Sequence, residues 1–244
     1  MTSRETTNLL THSDHGVSQS LADKFMVGTY ALIQWPWLLK SLSGGRKADK
    51  DRLLDRIGLA HDALPNLGSW KADTALLTRI VDTIEADEPK HVVELGCGAS
   101  SLVIARALQL YGQGRLTSFD QHADFVAATR RWLVEHGLDA DLHHAPLVEA
   151  PDGWPGHWYE LSHLPASIDL LVIDGPPWTI HPHVRGAAET LFNRISPSGT
   201  VLLDDAARPG ERVIAKHWRK RWPQFDFALD SGGTKGTLIG RRVR

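Results

Sequence analysis

The chain is 244 residues long, enough to bury a substantial core without disulfides or structural metal, and short enough for one domain with an added arm. Hydrophobic residues make up 42% and charged residues 23%, which excludes global disorder. Lys plus Arg number 27 against 29 Asp plus Glu, a formal net charge of -2 that argues against a predominantly basic nucleic-acid binder. The single cysteine, Cys97, excludes an intramolecular disulfide and a cysteine-rich zinc site and fits a reducing, cytoplasmic setting.

The first 20 residues are polar and read as a flexible start without the apolar core of a signal peptide. From Ser20 to about Leu42 the residues favour a helix, broken near Pro36. Its most apolar stretch, Phe25 to Leu39, falls short of the roughly 18–20 residues that cross a bilayer. Trp35 and Trp37 beside Lys40 suit peripheral contact with a membrane, but the simpler expectation is a helix packed on the domain or on a second subunit. A second helix is predicted over Ala48–His61 and a third over Ala72–Ala86, with Leu76, Leu77, Ile80 and Ile84 on one face. Residues 1–65 thus read as a helical arm, a cap or dimer contact, ahead of a domain covering 66–244.

After Pro89 the rhythm changes. Short apolar runs at 91–95, 115–119, 140–144, 168–173 and 199–203 alternate with helical patterns at about 100–111, 122–136, 183–195 and 210–221. That alternation predicts an α/β fold with a parallel sheet covered by helices. Phe225–Leu229 and Thr237–Arg241 have no room for a helix between them and should form an antiparallel hairpin at the sheet edge. Residues 145–167 read as a long loop of the kind that often carries function.

The strongest motif is Val92-Val93-Glu94-Leu95-Gly96-Cys97-Gly98-Ala99-Ser100-Ser101. A buried strand runs into two glycines that permit a tight turn and close approach of a ligand, and a helix follows. Ser101 stands where the dinucleotide fingerprint needs a third glycine. The Glu94 carboxylate disfavours a pyrophosphate and suits a ligand carrying an ammonium group. Asp120, at the tip of the next strand, can accept both ribose hydroxyl protons, or can cap the helix after it. These features point to an aminoacyl nucleoside.

VVELGCG, SFD, LLVIDGPPW and GTVLLDDAARPGE together resemble the class I S-adenosylmethionine-dependent methyltransferases, more narrowly the bacterial group called methyltransferase domain 24, over about residues 70–241. The resemblance implies a Rossmann-like, mostly parallel seven-stranded sheet with an antiparallel edge hairpin. It implies that Glu94, Gly96, Gly98 and Ser100 line the methionine end of the cofactor, that Asp120 holds the ribose, that Ala145, Pro146 and Leu147 after His144 flank the adenine, and that Asp174 also touches the cofactor. Trp70 and Lys71 match a preceding loop that approaches the cofactor carboxylate.

Asp174, Asp204 and Asp205 follow strands whose carboxyl ends face the ligand edge of such a sheet, so they should converge and need relief from mutual repulsion. In one reading they bind Mg²⁺, which lowers the pKa of an acceptor hydroxyl. Metal-dependent O-methyltransferases of the catechol type resemble this, but Ala206 stands where their asparagine would follow Asp205. In the other reading no metal is present, and Asp174, Asp205 or His181 acts as general base. Trp178 reads as a wall of the acceptor pocket, and Arg185, Arg208 and Glu211 as partners of the aspartates. The basic run Lys216–Trp222 and the tail Arg241–Arg244 could suit a nucleic-acid groove, but the run reads more simply as a solvated helix face with Trp218 and Trp222 turned inward. The expectation is an enzyme that methylates a hydroxyl on a small molecule. An N-methyltransferase acting on RNA or protein and an inactive nucleoside-binding module are the alternatives.

Overall fold

The computed structural model describes residues 16–243; the polar start before residue 16 and Arg244 lie outside the described residues. Helix α1, Leu21–Ile33, opens on a capping box between Ser20 and Asp23, and α2, Trp35–Ser41, follows at once. The break falls at Gln34, and Pro36 sits in the first turn of α2, where its missing N–H is not needed. Helix α3, Lys47–Arg56, ends earlier than its pattern predicts because Gly58 turns the chain at φ 62°. Helix α4 spans Thr74–Asp87.

The expected alternation then follows: β1 His91–Leu95, α5 Ala99–Tyr111, β2 Arg115–Asp120, α6 Ala123–Glu135 and β3 Asp141–His144. The stretch read as a long loop carries a small antiparallel pair, β4 Leu147–Glu149 with β5 His157–Tyr159. After β6, Ile168–Ile173, a 3-10 helix over Val184–Arg194 leads directly into β7, Ile195–Leu203. Helix α7, Pro209–Arg221, precedes the hairpin of β8 Phe225–Asp230 and β9 Thr237–Arg242. The main sheet has seven strands in the order β3-β2-β1-β6-β7-β9-β8. Its first five are parallel, and β9 enters antiparallel to β7.

Both faces of the sheet are buried, and side chains alternate between them as the pleat requires. Val92, Leu170, Val172 and Leu202 face a layer built from α3 to α6. Val93, Leu95, Leu171, Ile173, Val201 and Leu203 face the 3-10 helix, α7 and the β8–β9 hairpin. Leu53, Leu54 and Ile57 of α3 share the first cluster with α4 and α5, so this part of the predicted arm belongs to the core layer. Helix α1 buries no residue; Phe25 is 74% and Leu32 82% exposed. Side-chain hydrogen bonds tie the start of the arm to the domain. Gln19 Nε2 donates to the carbonyls of Thr179 and Ile180 at 2.6 and 2.8 Å, and the Tyr30 hydroxyl lies 2.9 Å from His183 Nε2. Among the described residues no helix is long and apolar enough to cross a membrane.

Trp218 is fully buried on α7, edge-on to Phe192, and its indole N–H donates to the Gly186 carbonyl at 3.1 Å. The other basic-run tryptophan, Trp222, also turns inward. Replacing so large a buried ring leaves a cavity and an unpaired carbonyl. Trp218→Ala should lower the unfolding free energy by about 3–5 kcal/mol in urea titration; an unchanged midpoint would show that this layer does not hold the domain together.

Candidate functional site

Four strand ends meet at one edge of the sheet, and backbone hydrogen bonds carry the ladder past them. Gly96 N donates to Phe119 O at 2.8 Å, Asp174 N and Gly175 N to Leu95 O at 2.8 and 2.7 Å, and Asp204 N to Ile173 O at 2.9 Å. A cleft opens above this edge, lined by Trp70, Lys71, the turn Gly96 to Ser100, Asp120, Tyr159, Asp174, Gly175, Pro177, Arg185 and Asp205.

The floor of the cleft admits no side chain at two positions. Gly96 has φ 96°, and a Cβ there would lie 2.8 Å from Gly175 N. A Cβ on Gly175 would lie 2.1 Å from the Tyr159 hydroxyl. The glycine in Asp174-Gly175-Pro176-Pro177 is therefore a packing requirement, set by a tyrosine delivered from β5. The Tyr159 hydroxyl is buried without a hydrogen-bond partner and lines the cleft.

Glu94 stands behind the turn. It is fully buried and accepts from the hydroxyls of Ser101 and Ser118, while Ser101 also accepts from Gly98 N at 2.9 Å. Burial pushes its carboxyl pKa up, against the pull of these hydroxyls. Glu94 orders the turn from below and does not line the cleft, as an ammonium-facing role would need. Asp120 does line it, with Oδ1 accepting from His122 N at 2.9 Å. Burial raises its pKa to about 7. Cys97 is buried, its sulfur 3.6 Å from the Thr129 hydroxyl, and burial raises its thiol pKa too.

Three expected neighbours of the adenine, Ala145, Pro146 and Leu147, are not among the residues that line the cleft. Ala145 N donates to Asp120 O, Pro146 O accepts from Glu160 N, and Leu147 pairs with Tyr159 in the small sheet. They brace β5 instead. Gln121, His122 and Phe125 line the cleft beside Asp120, a position the order of motifs does not reveal. His181 is also apart from the lining. It is buried, accepts from His183 N at 3.1 Å through Nδ1, and is held neutral, its pKa lowered to about 4 by burial and by His183. Trp178 is buried and likewise does not line the cleft.

Asp174, Asp204 and Asp205 do converge, each offering one oxygen within 4.8 Å of the others. They are already paired. Arg185 Nη1 is 3.0 Å from Asp205 Oδ2, Arg208 Nη2 is 2.7 Å from Asp205 Oδ1, and Lys235 Nζ is 2.9 Å from Asp204 Oδ2 and 3.4 Å from Asp205 Oδ1. Arg185 Nη2 lies 3.5 Å from Asp174 Oδ1 and bonds the Asp174 carbonyl, and Glu211 lies 3.9 Å from Nη1. Burial alone would raise Asp205, but the charges of Arg208, Lys235 and Arg185 hold it well below the usual carboxylate range. Burial, and then the Asp204 charge, push Asp174 well above that range, and burial lifts Glu211 to about 7. Four carboxyl groups thus face three cations, so the buried charges do not cancel one for one. Lys235, from the turn between β8 and β9, has no signal in the motifs.

Residues 93–206 match the family described as Methyltransferase domain. A curated relative, ribosomal RNA small subunit methyltransferase C of Pseudomonas putida (strain W619), is 28% identical over 177 residues, 72% of this chain and 46% of that protein. The chain thus spans about half the length of the curated relatives it matches. Among solved structures, a Podospora anserina methyltransferase bound to S-adenosylhomocysteine aligns with TM-score 0.55 at 15% identity, covering 94% of this chain and all of that one. An O-methyltransferase from Bacillus cereus in complex with the same ligand gives 0.53 at 13%, covering 89% and 100%. Residues 93–206 thus resemble a methyltransferase domain, and the fold around them is that of solved methyltransferases bound to S-adenosylhomocysteine.

Gly175→Ala should weaken S-adenosylhomocysteine binding at least roughly tenfold, about 1.4 kcal/mol, in a calorimetric titration, because its Cβ drives Tyr159 into the cleft. Adding Tyr159→Phe should recover part of that loss; no recovery would mean that the overlap lies elsewhere.

Proposed function

We propose that the protein transfers a methyl group from S-adenosylmethionine to a hydroxyl on a small molecule, with a sugar, a glycan precursor or a secondary metabolite as the acceptor class. The observation that carries this reading is a single cleft lined by Asp120 and Asp174 together with Gly96, Gly175 and Tyr159. The residues fit the cofactor. Asp120 offers a carboxylate to a pair of ribose hydroxyls, Gly96 and Gly98 offer backbone without side chains, and Trp70 and Lys71 line the same cleft. When bound, S-adenosylmethionine supplies the activated methyl on a sulfonium. The chain's own task is then to align the acceptor, exclude water and take up a proton.

Asp174 is the carboxyl we assign to that proton. It faces the cleft, its Oδ1 accepts no hydrogen bond, and Arg185 Nη2 lies 3.5 Å from that oxygen, where its charge favours the ionised form that can accept a proton. Asp205 is spent on three cations and serves to hold Arg185 against Asp174. The arm touches the chain just beyond Trp178 through Gln19 and Tyr30, which supports a role for α1 in bounding the acceptor entrance.

The relatives named for ribosomal RNA support a second reading, N-methylation of RNA. The charge distribution favours the small acceptor. Helix α7 leaves the cleft edge at Pro209 and runs to the far edge of the sheet, where β8 begins, so the basic half Lys216–Arg221 lies away from the cleft. The Arg241–Arg242 end of β9 lies at that far edge too, and Arg241 pairs with Asp87. The deciding assay offers labelled S-adenosylmethionine with a panel of hydroxylated metabolites, or with ribosomal RNA and ribosomal subunits. Label in a hydroxylated metabolite supports the proposal. Label only in RNA overturns the acceptor class, and tight cofactor binding with no transfer to any acceptor overturns the enzyme.

Two predictions follow from the site. Asp174→Asn should lower kcat about 10²–10⁴-fold on a hydroxyl acceptor while leaving S-adenosylhomocysteine affinity within about threefold; equal losses in both would make Asp174 a binding residue. For Asp120, the empty-site pKa of about 7 sets a pH dependence. Ligand hydroxyls favour the ionised form, so affinity is full above pH 7 and falls as pH drops through it. Calorimetry should show about thirtyfold weaker binding at pH 5.5 than at pH 8, and Asp120→Asn should bind weakly with no such dependence.

A further inference from the structure

Asp174, Asp204 and Asp205 have the spacing of a hard-cation site, with one oxygen each within 4.8 Å of the others. Its charge and its donors do not fit an added dication. Arg185, Arg208 and Lys235 already supply three positive charges to these carboxylates and Glu211, so a divalent ion would leave the buried cluster positive even with every carboxyl ionised. Both oxygens of Asp205 are taken by guanidinium groups, and Asp204 Oδ2 accepts from Lys235 Nζ at 2.9 Å.

Lys235 is held in this place by its backbone. Its N–H and the N–H and hydroxyl of Thr234 donate to Oδ2 of Asp73, and the other oxygen of that carboxylate caps α4 by accepting from Leu76 N at 2.9 Å. Its carbonyl accepts from Ala207 N at 3.0 Å, and the Gly236 carbonyl accepts from Ala206 N at 3.0 Å. The hairpin tip is thereby fastened to the residues that follow Asp205 and to the loop that carries Trp70 and Lys71. The ammonium is delivered on a rigid turn and is almost fully enclosed, its side chain 1% exposed.

We propose that the Lys235 ammonium takes the place of a divalent metal in this protein: it is a positioning residue, a tethered cation that neutralises Asp204 and Asp205 and leaves Asp174 to the cleft. The consequence for catalysis rests on the methyltransferase reading above. The cation itself can be tested without turnover.

The test is Mn²⁺ binding to the cofactor-free protein, followed by calorimetry and by thermal unfolding. The native chain should show no stoichiometric Mn²⁺ site at millimolar metal and no rise in Tm. Lys235→Ala should unfold at a lower temperature in chelator and regain at least half of that loss with Mn²⁺. Lys235→Met, which fills the space without charge, should not regain it. A stoichiometric Mn²⁺ site in the native chain that Asp204→Asn abolishes would overturn the proposal, as would a folded Lys235→Ala with no Mn²⁺ response. Should Lys235→Ala not fold, Lys235→Ser expressed with and without Mn²⁺ gives the same comparison, and recovery of folded protein only with metal supports the proposal. If no acceptor is ever methylated but these metal results hold, the tethered cation stands and the enzyme reading falls.

Discussion

The structure depends on one carboxylate, Asp205, and on what surrounds it. Its backbone sits at φ 60°, a region that costs a non-glycine residue about 1 kcal/mol or more and that aspartate tolerates better than most. Its side chain meets Arg185 from the 3-10 helix, Arg208 from the start of α7 and Lys235 from the β8–β9 turn. Three segments far apart in the chain are thus tied to the end of β7. Removing any one cation would leave a buried negative charge without its partner, a change that typically costs about 3–5 kcal/mol. The pairing therefore sets the positions of the hairpin and of the α7 N-terminus relative to the cleft, before any ligand is considered.

The cleft itself is narrow because two backbones approach each other. Gly96 and Gly175 pack face to face, and Tyr159 occupies the volume that a side chain on Gly175 would need. This contact couples the first glycine turn to the strand-end carboxyl Asp174, since both belong to the hydrogen-bonded continuation of β1 and β6. A change in either turn moves the other. The small sheet of β4 and β5, braced by Ala145, Pro146 and Leu147, matters to the site because it aims Tyr159.

The parts legible in the chain were those with local period or order. HVVEL, IDLLVI and GTVLL announce strands buried on both faces, and each falls where its apolar run predicts, though β7 starts four residues earlier than the run at 199–203. Asp120 is legible because it directly ends a strand, and the edge hairpin because no helix fits between its arms. Lys235 was not legible: it sits in Ser231–Gly236, a stretch that reads as an ordinary turn, and its partner Asp204 lies 31 residues away. Tyr159 was hidden among prolines that suggest a loop. His181 misled in the other direction. It is close in sequence to Asp174, but the chain between them turns the imidazole toward His183 and the arm and away from the cleft lining. Sequence proximity carries no information about direction once the chain leaves regular structure.

A tethered ammonium and a bound dication would solve the same problem at different cost to the site. Converging strand-end carboxylates repel one another, and burial makes that repulsion severe. A metal relieves it only when present, and its open coordination positions then become part of the chemistry. Lys235 relieves it permanently and offers nothing to a substrate, because its donors face Asp204 and Asp205 inside the protein. In a site built this way the chemistry is left to Asp174, which lies against the cleft with an oxygen that accepts no hydrogen bond, whereas both oxygens of Asp205 lie within 3.0 Å of a guanidinium. Its basicity is then set by burial and by the Asp204 charge behind it, which is itself tempered by Lys235. The same buried knot that holds the hairpin in place would thereby also tune the proton acceptor, and stability and reactivity would rest on one set of charges.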